Sequence, residues 1–329
     1  MGIFSLANRS CISVVRINGN LRYDAPSECT QPLTSEGDMQ YGALVIAYLF
    51  LGGAAGGTFL VMSIWSLSLH RSFPHRSAQV RREFRILRGR TYAIATLVLA
   101  ASMLCLLWDL DYPERALLIF LSARPTVLTF GACVLSALLG VGVLLTLANL
   151  LHLKIFSGRV KRVLDGICAL LAAAVMGYTG VFLYSNIGIA FWHTAFLVGL
   201  FFCSALSSGL STVLLIDYFA QSETRLICAV RPLQKAHLIC LVAELAFMAA
   251  FLGAAWTNPQ AATSVAALLS DAVLPAALIG AVGLGIVAPF ALESYALLRK
   301  EQRAIPVSDF VCLIGAFCLR WTVIVCGVH

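Results

Sequence analysis

Two tyrosines, a histidine and an aspartate hold the positions from which chemistry is easiest to build. Tyr48 lies about seven residues into the first long apolar segment, and Tyr178 about six residues before the end of the fourth. At 1.5 Å per helical residue, both phenols fall about 10 Å below the same membrane boundary. His193 enters the fifth segment slightly above them. Asp109 closes the second segment on that side, in Trp108-Asp109-Leu110-Asp111-Tyr112-Pro113-Glu114-Arg115. One layer therefore gathers phenols, an imidazole and carboxylates. A quinone headgroup needs donors to two carbonyls, a proton route to water and an apolar slot for its tail, and this layer offers all three. Tyrosines at that depth are also ordinary interfacial anchors, and the residues alone leave both readings open.

Other ionisable groups lie deeper, where they are costly and face the bundle interior. Glu244 is well inside the sixth segment and Arg320 is near the middle of the eighth. Their depths differ by about one helical turn, so an ion pair is within reach, either as part of a proton path or to fix packing. Asp217 and Glu293 lie near inner ends and read as solvated. Haem is not expected. His70, His75, His152 and His329 are at or beyond segment ends, and His193 and His237 lie at opposite faces, so no pair can clamp one iron. The 11 cysteines contain no C-x-x-C spacing, and most sit in or beside apolar spans as small hydrophobes, so no metal centre is expected. Cys11 and Cys29 are able to pair in an oxidising compartment. Gly52/Gly56 and Gly53/Gly57 are small-xxx-small pairs that allow close helix approach.

Composition says what must position these groups. Of 329 residues, 60% are apolar and 12% are charged, about half the usual charged share of a soluble domain. Mean hydropathy is +0.89. A soluble enzyme, a nucleic-acid binder and a disordered chain are poor readings. Residues 1–40 form a polar tail with no pattern of a cleavable signal peptide. Residues 41–329 hold eight segments long enough to cross about 30 Å of hydrocarbon: 41–69, 91–108, 126–151, 163–184, 189–219, 236–256, 272–298 and 309–328. Helix is the open choice, because backbone groups in lipid must pair within the segment. Most of the 23 basic residues fall in the odd-numbered loops, from Arg71 to Arg90, Lys154 to Arg162, Arg225 to Lys235 and Arg299 to Arg303. The positive-inside rule then predicts an all-α integral membrane bundle of eight transmembrane helices with both termini outside.

In this setting Tyr48-Leu-Phe-Leu-Gly-Gly-Ala-Ala-Gly-Gly57 resembles the first-helix signature of the NrfD/PsrC-type (polysulfide reductase) membrane subunits. Asp109…Pro113-Glu114-Arg115 resembles that family's Asp-Leu-Gly-Arg-Pro-x-Arg turn. Phe120-Leu-Ser-Ala-Arg-Pro-Thr126, Tyr178-Thr-Gly180, Phe191-Trp-His193 and Leu319-Arg320…Gly327 follow in order. The resemblance implies a multi-pass subunit of the bacterial cytoplasmic (inner) membrane that exchanges electrons with menaquinone or ubiquinone and carries no haem or metal of its own. It implies as partners a four-cluster ferredoxin-like iron–sulfur subunit and a molybdopterin catalytic subunit, besides membrane lipid, and no nucleic acid. The family's quinone contacts map to Tyr48 and Tyr178, with Asp109 on the proton path. Tyr48 stands where some members have histidine, and His193 where many have asparagine. Arg124 departs from the pattern and, with Arg115 and Glu114, is assigned to partner docking. A secondary transporter using Glu244 and Arg320 is the rival, weakened by the lack of an internal repeat.

Overall fold

The computed structural model describes residues 15–17, 20–22, 35–72, 78–108, 127–150, 158–186, 188–220, 227–298 and 306–328. In the tail, β1 (Val15–Ile17) pairs antiparallel with β2 (Asn20–Arg22), with Val15 opposite Arg22. Most of the other described residues are helical: α1 (Ser35–Ser72), α2 (Ala78–Trp108), α3 (Val127–Leu150), α4 (Gly158–Tyr184), α5 (Ala195–Ala220), α6 (Ile227–Thr257), α7 (Ala276–Leu298) and α8 (Pro306–Val328). All eight contain a stretch long and apolar enough to cross a membrane. A short helix, Ala262–Leu268, lies between α6 and α7. We call the end of the bundle where α1 begins the near face and the opposite end the far face.

Several helix boundaries differ from expectation, and the structure explains the largest of them. The helix α2 starts at Ala78 rather than 91. Its basic first turns are amphipathic, with Phe84, Leu87 and Thr91 buried while Arg82, Arg85 and Arg90 are exposed. The helices α1 and α6 likewise extend beyond their apolar cores. The helix α5 starts at Ala195 rather than 189, because residues 189–194 form turns. Those turns are held by Trp192, which is fully buried and donates its indole Nε1–H to Val323 O of α8 at 2.9 Å. The first part of α7, Ala276–Val287, winds as a π-helix, and Pro289 follows it. This wider winding sets Gly285 backbone to backbone against Gly315 of α8.

The bundle has two halves, α1–α4 and α5–α8, joined where α1 packs on α5. Apolar and small side chains let α1 bury residues 52–63 on every side, against α2, α4, α5 and α8, while Ala43, Ile64 and Ser68 are exposed. Gly57 is packed against the main chain of Ala205 and Gly209 of α5, and Gly53 leaves room for Arg320 of α8. Gly52 faces Ser102 of α2, and Gly56 faces Met176 of α4. The two small-residue pairs therefore serve different neighbours. Leu97, Leu170, Ile239 and Leu298 are exposed on the perimeter, as a lipid-facing surface requires.

At the far face, Asp165 of α4 ties the first half together. It accepts from Ser66 Oγ of α1 at 2.8 Å and from Arg88 Nη2 of α2 at 2.8 Å. The Tyr92 hydroxyl donates to the same carboxylate at 3.0 Å. Asp165 is 2% exposed. Removing one partner of a buried ion pair costs about 3–5 kcal/mol, since the other charge stays behind without compensation. Asp165→Ala is therefore expected to lower thermal stability in detergent sharply. Asp165→Ala/Arg88→Met is expected to recover a good part of the loss. A double variant no more stable than the single one would show that Arg88 contributes nothing through Asp165.

Candidate functional site

The near-face ends of α1–α4 bring two of the expected residues together. Tyr48 of α1 and Tyr178 of α4 are 2% and 4% exposed, and their phenols are neighbours. Tyr48 Oη is buried and makes no hydrogen bond, so the two phenols interact without bonding geometry. Each ring is fixed by its surroundings. Ser102 Oγ of α2 donates to Tyr48 O at 3.1 Å, which holds the α1 backbone beneath the ring. The Tyr178 ring lies on Gly131 of α3, where any side chain would strike it, and tilts against Phe182 with centroids 5.9 Å apart. The result is a pair of phenols in an apolar setting, one with an unused donor. That suits an acceptor such as a quinone carbonyl, because an unmade hydrogen bond costs more than a made one contributes.

His193 belongs to the turns before α5 and is not in a helix. It is exposed, its ring is stacked on Tyr184 at 4.6 Å, and its Nδ1 lies 3.2 Å from Tyr184 O. Tyr184 is six residues beyond Tyr178 on α4, so His193 sits about 9 Å nearer the surface, at the rim of the layer. Asp109, Glu114, Arg115 and Arg124 lie outside the described residues, as do Cys11 and Cys29.

Glu244 and Arg320 are both buried, but no ion pair between them forms among the described residues. Arg320 Nη1 donates to Ser204 Oγ at 3.1 Å and to Ala316 O at 2.9 Å. Its guanidinium also lies over Phe201 and Phe50, 5.5 and 5.8 Å from the ring centroids. Glu244 is turned toward Ser204 and Ser207. Equal depth did not guarantee contact, because Ser204 of α5 stands between α6 and α8. Asp217 and Glu293 are not solvated: they are 5% and 6% exposed. Glu293 instead faces His237 of α6, at 2.6 Å. Asp309, which the sequence reading passed over, joins Glu293 and His237 in a second buried polar group at the far face.

The motifs that looked separate along the chain meet in space. The Trp192 indole lies on Gly327, Gly53 admits Arg320, and Gly57 meets Gly209. The chain matches the family model described as polysulphide reductase, NrfD, over residues 33–329. It belongs to the NrfD family. NrfD proteins are membrane subunits of respiratory oxidoreductases, work with iron–sulfur and catalytic subunits, and are linked to the quinone pool. No curated protein matches the chain. Within this NrfD chain, each of those glycine contacts is a close approach that a larger residue would block. The motif spacing is thus explained by packing as much as by chemistry.

Proposed function

We propose that this chain is the quinol-interacting anchor of a respiratory oxidoreductase, passing electrons between membrane quinol and an iron–sulfur partner. The observation that carries the reading is the buried, unpartnered Tyr48 hydroxyl beside Tyr178 in an NrfD chain. Tyr48 and Tyr178 hold the headgroup oxygens between α1 and α4, and His193 guards the rim. One quinol gives up two electrons and two protons. The electrons go singly to the clusters of a four-cluster ferredoxin-like subunit seated on the near-face loops, with a molybdopterin catalytic subunit beyond it. The protons leave by Asp109. Glu114, Arg115 and Arg124 form the docking surface. In this reading the chain lies in a bacterial inner membrane with its far face in the cytoplasm and both termini outside, as the positive-inside rule favours for the basic loops.

The test uses the native complex. Affinity purification of the chain is expected to bring down an iron–sulfur protein, and added menaquinol or ubiquinol to bleach its cluster absorbance. A complex that forms but exchanges no electrons with either quinone pool, in either direction, would reduce this chain to a passive anchor. A chain that purifies alone and moves solute across vesicles would be a transporter.

A further inference from the structure

At the far face of the second half, α6, α7 and α8 converge on His237, Glu293 and Asp309, which are 0%, 6% and 1% exposed. One ligand atom of each lies within 4.8 Å of the others. His237 Nδ1 is 2.6 Å from Glu293 Oε1. His237 Nε2 faces Ser207 Oγ at 3.1 Å, Ser211 Oγ at 3.3 Å and Cys312 Sγ at 3.6 Å. The serine hydroxyls can accept from an Nε2–H, and that tautomer turns the Nδ1 lone pair toward the carboxylates, where a proton or a metal ion must lie between Nδ1 and Glu293 Oε1.

Three carboxylate oxygens remain. Glu293 Oε2, Asp309 Oδ1 and Asp309 Oδ2 are buried with no hydrogen-bond partner, as is Ser308 Oγ on the preceding residue. Among the described residues, no lysine or arginine pairs with either carboxylate. Arg320 is eleven residues further along α8, about 16 Å deeper. Cys312, which touches His237, and Glu244, seven residues along α6 from it, carry no positive charge. Two carboxylates and one imidazole in a dry interior need compensating positive charge, because buried charges are paired, neutralised by protons or bound to metals. A mixed set of imidazole and carboxylate donors suits a divalent ion that accepts both nitrogen and oxygen.

We propose that His237, Glu293 and Asp309 bind one divalent metal ion, which clamps the far-face ends of α6, α7 and α8. The serine hydroxyls around His237 orient the ring, as partners of metal-ligating groups commonly do. The proposal departs from the expectation of no metal, which rested on cysteine spacing and on paired histidines for haem. It does not depend on the quinone reading, since its readout is binding rather than turnover.

The experiment uses the purified full chain, free of affinity tag and stripped with EDTA. Mn2+ is the primary probe, because bound Mn2+ loses the six-line resonance of the free ion. Zn2+ and Ca2+ are compared with it by thermal melting. The expected result is one Mn2+ per chain and a melting temperature raised by about 5 °C at saturation. Asp309→Asn and Glu293→Gln are each expected to weaken binding at least tenfold. In EDTA, Asp309→Asn is expected to melt no lower than the parent, since it removes an uncompensated charge. If Asp309→Asn does not fold, Glu293→Gln alone decides the matter. A melting temperature indifferent to all three ions overturns the proposal and leaves the two carboxyls to be balanced by a proton. Binding unchanged in both variants would place any metal elsewhere and overturn it equally.

Discussion

Tyr48→Phe is expected to make the protein more stable and, on the proposed function, slower in its reaction with quinol. The hydroxyl it removes is buried and unpartnered, and such a group costs about 1–3 kcal/mol when left without a bond. The variant should therefore melt a few degrees above the parent. If Tyr48 Oη donates to a quinone oxygen, losing a hydrogen bond of about 1.4 kcal/mol lowers kcat/KM about tenfold. Tyr178→Phe should show a comparable kinetic loss. The double variant should approach a hundredfold loss if each phenol holds its own oxygen, and stay near tenfold if they share one. Steady-state quinol oxidation by the complex, paired with melting curves, gives both readouts. A Tyr48→Phe chain that melts lower, with unchanged quinol kinetics, would make Tyr48 a packing residue.

The largest stability effect is expected at Gly57. A Cβ there would collide with Ala205 O and would lie 3.0 Å from Gly209 Cα. Both obstacles are main-chain atoms of α5, which is itself buried, so neither yields cheaply. Overpacking a well-packed site costs about 1–3 kcal/mol and sometimes more, and Gly57→Ala belongs at the top of that range. Gly57→Val should prevent accumulation of folded protein in the membrane. Gly140 and Gly253 are the controls, because a Cβ at either meets nothing within 4 Å. Alanine at those positions should be neutral or stabilising by about 0.5–1 kcal/mol, since glycine is a poor helix residue. Expression level and melting temperature of the three alanine variants check this. Equal behaviour at all three positions would mean that the α1–α5 contact is looser than described.

Depth along each helix was legible in the sequence, and direction around each helix was not. Hydropathy located all eight spans because lipid imposes length and apolarity. It also placed Tyr48 and Tyr178 in one layer, and lateral packing then made them neighbours. The same depth argument put Glu244 near Arg320, yet the guanidinium turned to Ser204 and Ala316. Residues 189–194 misled because Ile189, Ala190, Phe191 and Trp192 are apolar enough to pass for helix. Only a carbonyl 131 residues away, that of Val323, explains why Trp192 holds a turn there. His237, Glu293 and Asp309 each lie close to a span end, where water is the ordinary expectation. Their convergence depends on how α6, α7 and α8 close against one another, and no spacing along the chain records that.

The burial of the middle of α1, residues 52–63, has a consequence for how the protein is made. Of the eight helices this one is synthesised before the others, and the side chains and backbone it packs against belong to α2, α4, α5 and α8. Until they arrive, its glycine grooves are open to lipid, which fills them poorly. Gly53 waits longest, for Arg320 on the last helix. At 5–20 residues per second, that interval is about 13–53 s of synthesis. A chain that stops before α8 leaves the groove at Gly53 unfilled, so the eighth helix completes a contact begun by the first.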